Sequence, residues 1–204
     1  MEQIYLTKDE KSWIIIDKLP ENLITYASEN FDILFALHPE ELGKVMRFDF
    51  KNEEHTVAPC ARWFKSYMNT PKFSADVKKS YMFALPEDTL EKELPDEFKP
   101  FMQKEYNQAT INWYNPDGYI PAHCDCDSGM IKDYKIMVIN ICETDSTPRN
   151  FHIKARNGNC LYQNLDIPLE NGTVITMCGN MQDDYAHGVK TGDSRRISIT
   201  FRQF

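Results

Sequence analysis

At 204 residues, with 42% apolar and 12% aromatic content, the chain suits one compact domain that can bury a core. A formal net charge of -8 excludes a protein that coats nucleic acid by bulk electrostatics, since neutralising phosphates takes clustered Lys and Arg. No apolar run reaches the roughly 18 residues of a membrane span, and Met1-Glu2-Gln3-Ile4 lacks the basic and long apolar regions of a signal peptide, so an intracellular protein, cytoplasmic or nuclear and without a membrane partner, is expected.

In chain order, Trp13 to Asp17 reads as a short strand, and Leu19-Pro20-Glu21 opens a helix with proline and acid in its first turn. Leu23, Ala27, Phe31 and Leu34 recur at helical spacing, predicting one helix that runs through Ala36 and Leu37 and covers a sheet. Residues 60–82 mix Arg62, Lys65, Lys72, Lys78 and Lys79 with Trp63, Phe64, Tyr67, Phe73, Tyr81 and Phe83, a composition suited to stacking on unpaired bases. A solvated face above core aromatics is the plainer reading of the same stretch. A second helix is expected from about Glu97 to Tyr106, where Phe98, Phe101 and Met102 share one side.

From Ala109 onward the pattern changes to short strands: Ala109 to Tyr114, Lys135 to Cys142, Phe151 to Lys154, Thr173 to Cys178 and Arg196 to Arg202. The Asn115-Pro116-Asp117-Gly118 turn and other Gly, Asn, Asp and Pro breaks divide them, which suggests a sandwich or barrel. The six cysteines are scattered through a chain without a secretory signal and read as free thiols. Cys124 and Cys126 lack a second nearby pair to complete a tetrahedral zinc site.

Chemistry concentrates near the end of the chain. His123 and Asp125 are two apart, so in an extended segment both side chains reach one side, and His187 follows 62 residues after Asp125. Two imidazoles and one carboxylate are the set that holds a non-haem Fe(II) and leaves its other face open. A structural histidine explains either imidazole taken singly. The last strand adds to the case: Arg196, Ser198, Thr200 and Arg202 share one parity, and Ile197, Ile199 and Phe201 the other. Arginines facing the lumen of a barrel are costly unless they meet anions, and a dianionic 2-oxo acid would chelate the metal at one end and need a guanidinium at the other. Arg196 is the expected main carboxylate partner; Arg195, of opposite parity, ranks below it.

These residues resemble the AlkB-like family of Fe(II)/2-oxoglutarate-dependent dioxygenases. The resemblance runs from about Arg62 to Phe204 through Asn112-Trp113-Tyr114, then Ala122-His123-Cys124-Asp125-Cys126-Asp127, Arg149-Asn150-Phe151, Gly172 to Met177, Tyr185-Ala186-His187 and the Arg-x-Ser-x-Thr-x-Arg strand. It implies an α+β, mainly β fold: a double-stranded β-helix (jelly-roll) core over 109–204, and N-terminal helices with a nucleotide-recognition lid over 1–108, within a single domain. It implies His123, Asp125 and His187 as iron ligands, and Asn112, Tyr114, Arg196 and Arg202 as partners of 2-oxoglutarate. Ser198, at a further cosubstrate position, stands where the family often carries Asn. Tyr81 and Phe83 correspond to the lid aromatics that bracket a flipped base, and Asp127 to the acidic residue facing it.

The activity so implied is oxidative demethylation of N-alkylated bases in DNA or RNA, single-stranded or flipped. Fe(II), 2-oxoglutarate and O2 are consumed or held in that reaction, and succinate, CO2 and formaldehyde are released by a monomeric enzyme. Two other readings stay open: the same oxygenase chemistry on a protein or small molecule, to which the acidic net charge lends weight, and a non-catalytic binding module that kept the fold.

Overall fold

The computed structural model describes residues 1–49, 54–68, 90–91, 93–125, 130 and 135–203. The chain begins with β1 (Glu2–Tyr5) and β2 (Ser12–Lys18), then α1 (Glu21–Glu29) and α2 (Phe31–Ala36). Next come β3 (Lys44–Asp49), β4 (Glu54–Pro59), β5 (Trp63–Met68), β6 (Leu90–Glu91) and a 3-10 helix (Asp96–Phe101). The second half is nearly all strand: β7 (Gln108–Tyr114), β8 (Ile120–His123), β9 (Ile136–Cys142), β10 (Arg149–Ala155), β11 (Asn164–Leu169), β12 (Thr173–Gly179), the short α3 (Met181–Asp184), β13 (Tyr185–Val189) and β14 (Arg196–Arg202).

The fold is mainly β. Eight strands form one sheet in the order β1-β2-β12-β9-β14-β7-β5-β6, four form a second in the order β11-β10-β13-β8, and β3 pairs with β4 alone. The ladders of both large sheets are antiparallel except for the short β5–β6 contact. Central strands such as β9 are buried on both faces, which is why Ile136 to Cys142 reads as an almost continuous apolar run instead of an alternating one.

Alternation still assigns each side chain to one of two cores. Ile111, Trp113, Ile139, Ile141, Ile197, Ile199 and Phe201 face the helices, where Ala27, Phe31, Leu34, Phe98 and Phe101 cover them. The Trp113 indole fixes this layer, donating from Nε1 to the Leu34 carbonyl at 2.9 Å. Truncating a buried aromatic such as Trp113 or Phe98 costs about 3–5 kcal/mol. The opposite face of the large sheet meets the small one through Ile14, Ile136, Val138, Ile175 and Met177 on one side and Phe151, Ile153, Ile167, Leu169 and Val189 on the other.

Two helical expectations are corrected. The stripe from Leu23 to Leu34 is carried by two helices, because Asn30 leaves helical geometry at φ -109°, ψ 13° and its side-chain amide donates to the Tyr26 carbonyl at 2.9 Å. Asparagine competes in this way with the helical backbone, and the break turns Phe31, Leu34 and Phe35 onto the core. The second helix is a 3-10 segment that ends at Phe101. Pro100 lies inside it and supplies no N–H to prolong it, and Met102, expected on the apolar side, is exposed. Among the described residues no helix is long and apolar enough to cross a membrane.

Candidate metal centre and anion cavity

Between the sheets lies a cavity of about 190 Å³ lined from both sides. An apolar cavity of about 150 Å³ takes benzene, so a five-carbon acid is within its range. The large sheet contributes one parity of its strands: Phe64 and Ser66 from β5, Thr110, Asn112 and Tyr114 from β7, and Arg196, Ser198, Thr200 and Arg202 from β14. The polar face read from the last strand therefore looks inward, and the register aligns it, with Ser198 opposite Asn112 on one side and Asn140 on the other.

The small sheet brings in the imidazoles. His187 lies in β13 directly opposite His123 in β8, and their ring centroids are 4.5 Å apart. Gly188 permits the approach: a β-carbon there would stand 2.6 Å from the Ile120 carbonyl oxygen and 2.9 Å from the Ala122 nitrogen. The expectation of one extended His-x-Asp segment is corrected in a detail, since β8 ends at His123 and Asp125 lies past the strand. Its backbone N–H is held there by the Gln182 side-chain oxygen of α3 at 2.8 Å. The carboxylate still reaches both rings, Oδ1 at 3.5 Å from His123 Nε2 and Oδ2 at 3.9 Å from His187 Nε2. Among the described residues His123, Asp125 and His187 are the group of metal-ligating side chains so gathered, their donor atoms within 4.8 Å of one another.

Protonation suits coordination. A carbonyl only accepts, so the 3.0 Å contact of His123 Nδ1 with the Pro121 oxygen makes Nδ1 the donor and assigns Nε2 as the ligating nitrogen of the ring. Burial, helped by His123 and Arg202, pushes His187 down to about 3, against the opposing pull of Asp125. Burial alone would raise Asp125, but the Arg202 guanidinium and the hydrogen bond with His123 outweigh it and hold the carboxyl well below the usual carboxylate range. A neutral His187 and an ionised Asp125 fit a divalent ion of the Fe(II) type.

The arginines divide the remaining work. Arg202 donates from Nε and Nη2 to Asp125 Oδ2 at 3.2 and 3.0 Å, and from Nη1 to Gln108 and Thr110 at 3.3 and 3.2 Å. Arg196 is 1% exposed, with Nη1 and Nη2 buried and lacking hydrogen-bond partners among the described residues. Its guanidinium carbon lies 4.8 Å from the Tyr114 ring centroid, and burial lowers its pKa although Tyr114 offsets part of that cost. Two buried, unpartnered guanidinium nitrogens fit an anion. Arg195 faces the other way and pairs with Glu143 at 2.6 Å and Asp32 at 2.7 Å.

Arg62, read from the sequence as part of a basic surface stretch, is buried in the cavity wall. It donates from Nε to Asn112 Oδ1 at 2.9 Å and lies over the Phe64 ring. A guanidinium has no acceptor, so it fixes which end of the Asn112 amide faces it. Within the described part of that stretch, Tyr67 is core and Trp63 stacks on His38 at 4.1 Å, so these two aromatics serve packing. Tyr81, Phe83 and Asp127, read as substrate contacts, lie outside the described residues.

Sequence reasoning also gave no role to Gln182, Arg149 and Asn140. Arg149 donates to the carbonyls of Asn115, Gly118 and Ser194 at 2.7, 2.6 and 2.5 Å, tying two loops together. Asn140 accepts from Arg196 Nε. Its one visible signal is that it is the sole amide in the apolar run Ile136 to Cys142.

No protein-family model matches the chain. Part of the genome polyprotein of Blackberry virus Y is 32% identical over 98 residues, 48% of this chain and 3% of the polyprotein. Part of the RNA replication polyprotein of Apple stem pitting virus is 28% identical over 97 residues, 48% of this chain and 4% of that polyprotein. The chain thus spans 3–4% of the length of these curated relatives. Among solved structures, that of OsALKBH1 superposes with a TM-score of 0.51 at 14% identity, covering 93% of this chain and 97% of that one. A 2OG-Fe(II) oxygenase-family oxidoreductase from Burkholderia pseudomallei gives 0.47 at 15% identity, with 93% and 84% covered. In its fold the chain is similar to the structure of OsALKBH1.

Proposed function

We propose that the chain is an Fe(II)/2-oxoglutarate-dependent dioxygenase that oxidatively demethylates N-alkylated nucleobases, with the two large sheets acting as the halves of a double-stranded β-helix. The observation that carries the oxygenase reading is the pairing, in one cavity, of the His123–Asp125–His187 group with the buried, unpartnered Nη1 and Nη2 of Arg196. A metal site alone would not require the arginine, and an anion site alone would not require the triad.

In this reading His123 Nε2, His187 Nε2 and an Asp125 oxygen hold Fe(II), and Arg196 holds the distal carboxylate of 2-oxoglutarate in a planar fork. Asn112, Tyr114 and Ser198 offer polar groups along the floor between them. Bound there, iron with 2-oxoglutarate and O2 would supply the oxidising power for hydroxylating a methyl on a base nitrogen, with succinate, CO2 and formaldehyde as the products. Arg202 keeps Asp125 ionised, and the apolar wall of Ile120, Val138, Phe151 and Val189 excludes water from the reacting groups. Tyr81 and Phe83 are assigned to the base and Asp127 to its polar edge. The match to part of an RNA replication polyprotein favours RNA over DNA.

The second reading, oxygenation of a protein or small molecule, draws on the packing roles of Trp63 and Tyr67, which remove two aromatics from the stretch thought to meet bases. The deciding experiment loads Fe(II) anaerobically, adds 2-oxoglutarate, O2 and a panel of methylated DNA and RNA oligonucleotides, and follows succinate and formaldehyde. Formaldehyde in step with succinate is expected. Succinate without formaldehyde on every oligonucleotide would keep the oxygenase and remove the demethylase, and no succinate under any condition would remove both.

A further inference from the structure

We propose that Asn140 is a positioning residue: by fixing the guanidinium of Arg196, it sets the cavity's preference for a 2-oxo acid that carries a second, distal carboxylate. The inference rests on the reading of the cavity as a 2-oxoglutarate site and adds what makes that site selective.

Asn140 is fully buried, a carboxamide in a strand where its neighbours are apolar. Such a group is destabilising unless each of its polar atoms is met. All are. Nδ2 donates to the Leu169 carbonyl at 2.9 Å and the Glu170 carbonyl at 2.8 Å, and Oδ1 accepts from Arg196 Nε at 2.5 Å. The amide can point only one way, because both carbonyls need a donor and the guanidinium needs an acceptor. Its backbone is fixed as well: the Asn140 carbonyl accepts from Gly172 N at 2.9 Å, in the turn between β11 and β12. Gly172 sits there at φ +76°, and the next element, β12, is a ladder partner of β9.

A guanidinium is planar, so a contact at Nε that cannot rotate away also fixes the plane of Nη1 and Nη2. Those are the two nitrogens that, beside the Tyr114 ring, find no hydrogen-bond acceptor in range among the described residues. A carboxylate is matched by a fork held in one plane and gains less from a fork that must first be ordered. Directly across the ladder from Asn140 stands Ser198, which is small and leaves the floor beside the fork open. Aspartate at position 140 would also accept from Nε, but its charge would neutralise the arginine and its oxygens would face two carbonyls. Asparagine positions Arg196 without neutralising it.

The test is equilibrium binding to the full chain loaded with Mn(II), a redox-silent stand-in for Fe(II). It compares 2-oxoglutarate with 2-oxopentanoate, which has the same carbon chain but a methyl in place of the distal carboxylate. Asn140→Ala is expected to weaken 2-oxoglutarate roughly tenfold or more while 2-oxopentanoate stays within about twofold, the size of effect for disturbing a charged hydrogen bond. Asn140→Asp, which keeps the side-chain volume, is expected to lower the preference at least as far and serves if the alanine variant does not fold. In an Arg196→Met background Asn140→Ala should change the preference no further, since the effect passes through the arginine. Equal weakening of both ligands, an unchanged preference in Asn140→Asp, or the same loss without Arg196 would each overturn the proposal. A wild-type protein that does not distinguish the two acids would instead remove the 2-oxoglutarate reading on which it rests.

Discussion

The two walls of the cavity are built from different chemistry. The large-sheet wall is polar, its arginines each held by hydrogen bonds: Arg62 to Asn112, Arg196 through Nε to Asn140, and Arg202 to Gln108, Thr110 and Asp125. The small-sheet wall is apolar apart from its imidazoles, with Ile120, Phe151, Gly188 and Val189 around His123 and His187. Their places in the fold differ too. β14, which carries the arginines, is flanked by β9 and β7 at the centre of its sheet, whereas β8, which carries His123, pairs with β13 alone across an irregular register. Charge is thus fixed where the scaffold is most constrained, while the metal-ligating group straddles the small sheet's rim, His187 on the interior strand β13 and His123 on the edge strand β8. Asp125 joins the walls, belonging to the metal group by position and to the arginine strand by its ion pair.

Breaking that join should have the largest effect. Asp125→Ala removes a ligand and leaves Arg202 without its buried counter-charge; turnover should fall by more than the roughly 100-fold typical of losing a residue that merely supports a ligand. Metal content and succinate release check it, and near-normal turnover would overturn the metal assignment. Arg196→Met tests whether the walls are separable. It should weaken 2-oxoglutarate binding by about 100-fold, the worth of a bidentate charged contact, while metal content stays unchanged; loss of both would mean the walls act as one unit.

Acid should act first through the small-sheet wall. His187 is pushed down to about 3 in the fold, against 6.5 for a free imidazole, so between those values the unfolded chain takes up a proton that the folded chain refuses. Stability of the metal-free protein is therefore present above pH 6.5 and is lost as pH falls toward 3. Asp125, held below its usual range, adds a further loss at the acid end. Urea unfolding after chelation should show a drop of about 3 kcal/mol between pH 6.5 and 4. His187→Asn should flatten that slope, and an equally steep slope in the variant would place the acid sensitivity elsewhere. Gly188→Ala is the mildest probe. Its β-carbon would stand 2.6 Å from the Ile120 carbonyl oxygen, closer than a β-carbon tolerates, so the β8 backbone itself must move, and metal affinity should fall by roughly tenfold or more for a cost of about 1–3 kcal/mol, with little change in the arginine wall.

Much of this was legible in the chain. Period-two alternation from Arg196 to Arg202 gave the lumen-facing set without any structure, and the strands from Ala109 onward fall within a few residues of their positions. That works because strand parity is a local property: once the backbone is extended, the face of each side chain follows from its number. Residue type pointed to the chemistry proposed here in the same way, two imidazoles and a carboxylate suiting a metal and guanidinium suiting an anion.

What the sequence could not supply depends on which strands become neighbours. It ranked Arg196 above Arg202 as the carboxylate partner but gave Arg202 no partner inside the protein; cross-strand contacts put one beside the Asn140 amide and the other on the Asp125 carboxylate. It read Arg62 as basic surface because the charge of a side chain says nothing about its burial. It ran one helix through Asn30, where a side-chain bond to Tyr26 and packing of Phe31 and Phe35 decided for two. Above all it passed over Asn140, a single polar residue in an apolar strand, whose meaning appears only when residues 29, 30 and 56 positions away in the chain close around its carboxamide. Sequence by itself determined which groups this protein has and which way each one faces along its strand. Tertiary structure alone decided which of them meet, because a hydrogen bond or an ion pair depends on separation in space, and folding sets that separation independently of distance along the chain.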